Sequence, residues 1–163
     1  MGKDDVMHGL IWFDGVLPAP IGEITKQGVS MERLSRILVN VIGVLTLLGA
    51  LGFMFSPAQM EPDFSIIPTR LDGWGTLRAD LGGPFLAIAL FTFFGARPGK
   101  SQWLWVPVIF MASFLFGRSV HLLIDGVSQP AIRSFVVEVV LLAVLEASRR
   151  VLTKVDSEAG AKA

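Results

Sequence analysis

The chain has 163 residues, of which 52% are hydrophobic and 17% charged, and its formal net charge is zero. A soluble domain carries about 25% charged residues, so this composition and a mean hydropathy of +0.61 indicate an integral membrane protein. Zero net charge offers no basic field for nucleic acid. The lack of cysteine excludes disulfides, thiolate metal sites and thiol chemistry, and the two histidines, His8 and His121, lie too far apart in sequence to suggest a histidine-rich metal site.

Residues 1–30 form a leader whose apolar stretch, His8 to Ile21, is interrupted by Gly and Pro. It is too short and broken to span a membrane. It reads as flexible or interfacial, or more sharply as a docking segment for a partner protein. Met31-Glu-Arg-Leu-Ser-Arg is also a plausible start just ahead of a first helix. The first span is expected over 37–55, with Asn40 its one strongly polar interior residue. At about 19 residues it can cross a hydrocarbon core of roughly 30 Å, and it exceeds the apolar run of a signal peptide. Ser56-Pro57 ends it, because proline cannot continue the helical hydrogen bonding.

The stretch from Pro57 to Thr76 is rich in Pro and Gly and reads as an irregular loop on the outer membrane surface, with Phe64, Ile66, Ile67, Leu71 and Trp74 facing lipid. The second span is expected over 77–96. Asp80 stands in its first turn, where a carboxylate suits the helix dipole, and Gly82-Gly83-Pro84 allows close helix approach. The third is expected over 102–124 and opens with the interfacial aromatics Trp103 and Trp105. Gly126-Val127-Ser128-Gln129-Pro130 is a tight turn, which makes the fourth expected span, 131–148, an antiparallel neighbour of the third. The tail 155–163 is expected to be disordered. Arg33, Arg36, Arg97, Lys100, Arg149, Arg150 and Lys154 all fall on one side of a chain that crosses four times. The positive-inside rule then makes both termini cytoplasmic.

Charged residues inside the spans are the strongest functional clue. Arg118, His121 and Asp125 stand at i, i+3 and i+7 and so share one helix face. Arg118 and Glu138 each lie seven residues from the connecting turn, about 10 Å deep at 1.5 Å per residue, so the two can meet. Asp125 and Arg133 can meet nearer the surface. Asp80, with Arg78 at the edge, can complete a cluster in the outer half of the bundle. One reading is that these charges only fix helix register. The other is a polar pocket open to the outer side, in which Arg118 holds an anionic or carbonyl group and His121 or Glu138 handles a proton. Glu146 reads as a structural partner of Arg149 and Arg150, with Asn40 a further candidate at similar depth. No catalytic set emerges: Ser119 and His121 are two apart and point away from each other on a helix. No phosphate loop or His-Glu-x-x-His motif occurs, and no cofactor is implied.

The segments Leu77-Arg78-Ala79-Asp80-Leu81-Gly82-Gly83, Gly117-Arg118, and Asp125-Gly126 followed by the Glu138 helix resemble the uncharacterised bacterial inner-membrane family catalogued as domain of unknown function 4345. The resemblance covers Leu34 to Leu152 and implies an all-α, four-helix membrane bundle without an established activity. The expectation is therefore a multi-pass protein of a bacterial inner membrane, non-enzymatic, acting as an accessory subunit of a membrane complex or as a small-ligand or lipid-binding bundle. Its partners would be the lipid bilayer and a larger complex or a second copy. The alternative is a small proton-coupled carrier working as an oligomer, with Arg118, His121 and Glu138 as its relay. A membrane enzyme on a lipid or quinone-like substrate is least supported, since no activated nucleophile is evident.

Overall fold

The computed structural model describes residues 21–64 and 66–161. The described residues are helical and contain no strand. They form α1 (Ile21–Phe55), α2 (Pro57–Phe64), α3 (Leu71–Gly95), a 3-10 turn (Ser101–Leu104), α4 (Trp105–Ile124) and α5 (Gln129–Gly160). The leader before Ile21 lies outside the described residues.

Among the described residues three stretches are long and apolar enough to cross a membrane: Ser30–Phe55 of α1, Leu71–Gly95, and Ser101–Ile124, with mean hydropathies of 2.3, 1.4 and 1.6. The fourth expected span, 131–148, lies within α5 and is helical throughout. It does not join this set, because Arg133, Glu138 and Glu146 interrupt its apolar stretch.

Local chemistry explains where the helices begin and end. The Ser56 N–H still bonds the Gly52 carbonyl at 2.8 Å, and Pro57 then opens the short α2, a position where its missing N–H costs nothing. α3 starts at Leu71, six residues before the expected boundary, so part of the presumed irregular loop is helix despite Gly73 and Gly75. From Leu77 to Gly82 it widens into a π-helical stretch, with the Gly83 N–H reaching the Arg78 carbonyl. Pro84 supplies the reason: its ring cannot sit against the carbonyl four residues back, and widening the helix relieves the conflict. α5 is capped by Ser128, whose hydroxyl accepts from the Ala131 N–H at 3.3 Å, and Gly126 turns the chain at φ 100° just before it.

Residues 162–163 of the expected disordered tail lie outside the described residues, and residues 155–160 are instead the last turns of α5, which runs to Gly160. Asp156 holds it, accepting hydrogen bonds from the Gly99 and Ser101 N–H groups at 2.9 and 3.0 Å. The extension is thus fastened to the α3–α4 connection, a tertiary contact that composition does not reveal.

The helices run up and down with α1 at the centre, packed against both α3 and α5, while α4 packs on α3 and α5. At mid-height Ile42, Ile88, Val108, Met111 and Leu145 form the main core. Towards the start of α1, Val39, Ala96, Leu104 and Leu152 form a second layer. At the opposite end the core is aromatic: Phe53 packs against Phe64 and Phe85 with ring centroids 4.7 and 5.7 Å apart, and Phe85 stacks on Phe114 at 6.1 Å. The outward faces are apolar too. Val41, Leu45 and Leu48 on α1, Ile109 and Phe116 on α4, and Val136 and Val140 on α5 are all exposed. That is the inverse of a soluble helix and suits contact with lipid tails.

Gly95 sets the tightest approach. A Cβ there would lie 2.6 Å from the Leu104 side chain and 3.0 Å from the Leu104 backbone nitrogen. Gly95→Val is expected to destabilise the fold by about 2–3 kcal/mol, read by unfolding in mixed detergent. Gly117→Ala, where the added methyl meets nothing within 4 Å, should leave stability unchanged or raise it by up to about 1 kcal/mol.

Candidate functional site

Two polar regions lie at opposite ends of the bundle. The first is the one expected from the sequence. Arg118 on α4 and Glu138 on α5 form an interhelical ion pair: Arg118 Nη2 donates to Glu138 Oε1 at 2.8 Å, and Nε approaches the two carboxylate oxygens at 3.2 and 3.4 Å. The side chains are 32% and 15% exposed, so the pair sits in the flank of the bundle rather than at its axis. The antiparallel turn and equal residue counts on either side of it produce this meeting.

The rest of the expected cluster does not assemble. His121 bonds Asp125 one turn along its own helix, Nδ1 to Oδ2 at 2.8 Å, and both are largely exposed, at 45% and 62%. Asp125 therefore pairs with His121 and not with Arg133, which is exposed on α5. Asp80 is also exposed, and among the described residues it forms no ion pair with Arg118, His121 or Arg133. Arg78 has a different role. Its Nε donates to the Met54 carbonyl at 3.0 Å, occupying one of the free acceptors at the end of α1. In place of one buried Arg/His/Glu/Asp cluster there is one half-buried pair between helices and one exposed pair within a helix. The hydroxyl of Ser119 donates to the Leu115 carbonyl at 2.8 Å, within its own helix.

The second region surrounds α1 where its apolar stretch begins, after Ser30, together with the ends of α3 and α5 and the start of α4. Glu146 accepts from Arg149 Nε at 2.7 Å and from Arg150 Nε at 2.6 Å, the structural arrangement expected for it. Asn40 is not its partner. With two guanidinium groups one turn away Glu146 is already satisfied, and Asn40 Nδ2 instead donates to the Arg36 carbonyl at 2.8 Å. The Arg149 guanidinium also lies over the Trp105 ring, 3.9 Å from its centroid. Arg36 bonds Glu32 at 3.0 Å and donates through its second nitrogen to the Ala96 carbonyl, tying α1 to the end of α3.

Asp156, outside the spans, completes this end. Partial burial pushes its carboxyl up, but the hydrogen bonds from Ser101 and Gly99, with Arg36 nearby, outweigh that and hold it below the usual carboxylate range.

A cavity opens at this end, between α1 and α3. It measures about 990 Å³ and is lined by aromatic side chains of α3 with Trp103, Asn40 and Arg97. Phe91 and Phe94 each pack on Trp103 with centroids 5.7 Å apart. From the sequence, Trp103 reads only as an interfacial aromatic and the phenylalanines only as part of an apolar span. The signal available was the crowding of Phe91, Phe93, Phe94, Arg97 and Trp103 into one short stretch opposite Gly43, which a Phe93 ring atom approaches to 2.8 Å of a built Cβ. Among the described residues no group of three His, Asp or Glu is placed to hold a metal ion. No family model, curated protein or solved structure matches the chain.

Both polar regions generate tests. Replacing either Arg118 or Glu138 by Leu strands a half-buried charge and should cost about 2–3 kcal/mol. Replacing both should cost less than about 1 kcal/mol. Equal stability of parent and either single variant would contradict the pairing. For Asp156 the pH dependence has a fixed sign. Its folded pKa lies below the unfolded value of about 3.9, so its stabilisation is complete above that value and is lost as pH falls through the folded pKa. Thermal unfolding should show parent more stable than Asp156→Ala by about 1–2 kcal/mol at neutral pH, with the gap closing on acidification below pH about 4. In limited proteolysis, Asp156→Ala should also speed tryptic cleavage after Lys100.

Proposed function

We propose that this chain is a non-catalytic four-span protein of a bacterial inner membrane, with both termini cytoplasmic, serving as a small-ligand or lipid-binding bundle or an accessory component of a larger membrane complex. The Arg118–Glu138 pair carries this reading. α5 holds too many charges to cross an apolar phase by composition alone. Glu138, however, is matched by Arg118 of the neighbouring helix, and Glu146 by Arg149 and Arg150. Pairing removes most of the penalty of placing such charges among lipid tails, and α5 is long enough, at 32 residues, to cross with turns to spare. The match of Arg118 and Glu138 in depth follows naturally if both helices enter the membrane from one side through the Gly126 turn.

The same pairing argues for a binding or structural role over catalysis. Arg118 and Glu138 engage each other, His121 engages Asp125, and Ser119 engages its own helix. Membership of the domain-of-unknown-function family rests on the motif from Leu77 to Gly83 and on Gly117-Arg118, and it is part of this proposal.

Topology reporters test the reading. A fluorescent protein fused after Ala163 should fold and fluoresce, as it does in the cytoplasm, whereas alkaline phosphatase at that position should be inactive. Phosphatase fused within the Gly126–Pro130 turn should be active. An active phosphatase after Ala163 would place the C-terminus outside and end the reading with both termini cytoplasmic.

A further inference from the structure

We infer that the cavity between α1 and α3 is a site for one anionic phospholipid, its acyl chain among the aromatic side chains and its phosphate between Arg33 and Arg97. The inference rests on the membrane reading above and names the ligand class for that bundle.

The cavity has two parts that differ in chemistry. The larger, about 990 Å³, is lined by Leu90, Phe91, Phe93 and Trp103, with Asn40 and Arg97 at one end. Its volume lies at the upper limit of ordinary ligand sites, roughly 300–1,000 Å³, which leaves room for an acyl chain. Asn40 also borders a second cavity of about 340 Å³, lined by Glu32, Arg33, Arg36 and Ile37. The two share Asn40 as a lining residue, and an occupant lying along both would pass from an aromatic trough to a charged mouth. That division matches the two halves of a phospholipid.

Charge narrows the occupant. The charged side chains that line the two cavities are Arg33, Arg36 and Arg97 against Glu32, with Asp156 bonded nearby to the Gly99 and Ser101 N–H groups. Both carboxylates are engaged: Glu32 with Arg36, and Asp156 with two backbone N–H groups. Arg36 is held by Glu32 and by the Ala96 carbonyl. Arg33 and Arg97 are exposed and form no ion pair with any described residue. Arg97 leans over the Phe94 ring, 5.4 Å from its centroid, which places its guanidinium at the boundary of the trough. Two available guanidinium groups beside an apolar slot fit a phosphate diester carrying net negative charge. A zwitterionic headgroup would bring its cation against the same arginines. The aromatic ring ladder is the part that a mere surface patch of basic residues would lack.

The site also explains a structural detail. Trp103 stands where the chain leaves the 3-10 turn, packed between Phe91 and Phe94, so its indole reports directly on what fills the trough.

The experiment uses the full chain reconstituted in phosphatidylcholine vesicles with phosphatidylglycerol as a minor component, bromine being carried on the acyl chains of one lipid or the other. The quenching assigned to Trp103 is the difference between the parent and Trp103→Phe. Brominated phosphatidylglycerol should quench Trp103 with a preference of about tenfold over its share of the bilayer. Arg33→Gln with Arg97→Gln should abolish the preference while thermal unfolding stays that of the parent, since neither side chain lies in the core. Millimolar inorganic phosphate should not compete. Quenching in proportion to mole fraction alone would show ordinary bilayer contact and overturn the site. So would competition by free phosphate, or absence of quenching by either lipid, which would mean another segment or a second copy fills the trough. The topology fusions report on the spans independently, so a chain that spans as proposed yet shows no lipid preference would lose this site alone.

Discussion

An arginine among apolar surfaces must find its counter-charge within the protein, and the meeting of Arg118 with Glu138 governs how the second half of this chain folds. The pair fixes the register of α4 against α5, because each residue stands at the same distance from the Gly126 turn. That register lets Met111 and Val108 of α4 face Leu145 of α5 across Ile42 and Ile88. A shift of one turn, about 5.4 Å, would separate the charges and break the core layer together. Polar satisfaction and packing thus select one arrangement, where either alone would allow several.

A second constraint acts at the other end. Helix termini leave carbonyl and N–H groups without partners, and among apolar helices these must be met by other parts of the chain. Arg36 reaches the Ala96 carbonyl at the end of α3, Asp156 takes the N–H groups of Gly99 and Ser101, and across the bundle Arg78 takes the Met54 carbonyl at the end of α1. Each tie joins helices distant in sequence. Together they close the bundle at both ends, while the apolar layers between them supply bulk cohesion with little directional preference.

This division explains what could be read from the sequence. Runs of apolar residues announced four helices, three of them long and apolar enough among the described residues to cross a membrane, because hydrophobic length is a local property. The Arg118–Glu138 pair was also legible, since a short turn converts sequence spacing into depth. What escaped were the groups whose partners lie on non-adjacent elements. Asp156 looked like part of a disordered tail because nothing near it in sequence reveals the Gly99 and Ser101 amides. Asn40 and Glu146 looked like partners by depth, yet Glu146 found Arg149 and Arg150 one turn away. Asp125 likewise found His121 before it could reach Arg133. Where a side chain has an opposite charge three or four residues off, that local pair forms with the smallest loss of conformational freedom. Depth arguments identify partners only when no such neighbour competes, which is the case for Arg118.

The same competition separates charges that hold the structure from charges free to bind. At the end of the bundle where the apolar stretch of α1 begins, basic side chains outnumber acids, and several have partners: Arg36 with Glu32, Arg149 and Arg150 with Glu146. Arg33 and Arg97 stand apart from these pairs, Arg33 lining the smaller cavity and Arg97 the adjoining trough of aromatic rings, which no described side chain fills. A charge retained beside an apolar slot gains nothing for folding there, and it weakens the apolar character that would otherwise let lipid tails cover that face. Its interaction with an anionic headgroup would reverse that balance, because the phosphate brings both the counter-charge and the apolar chain that the slot accommodates.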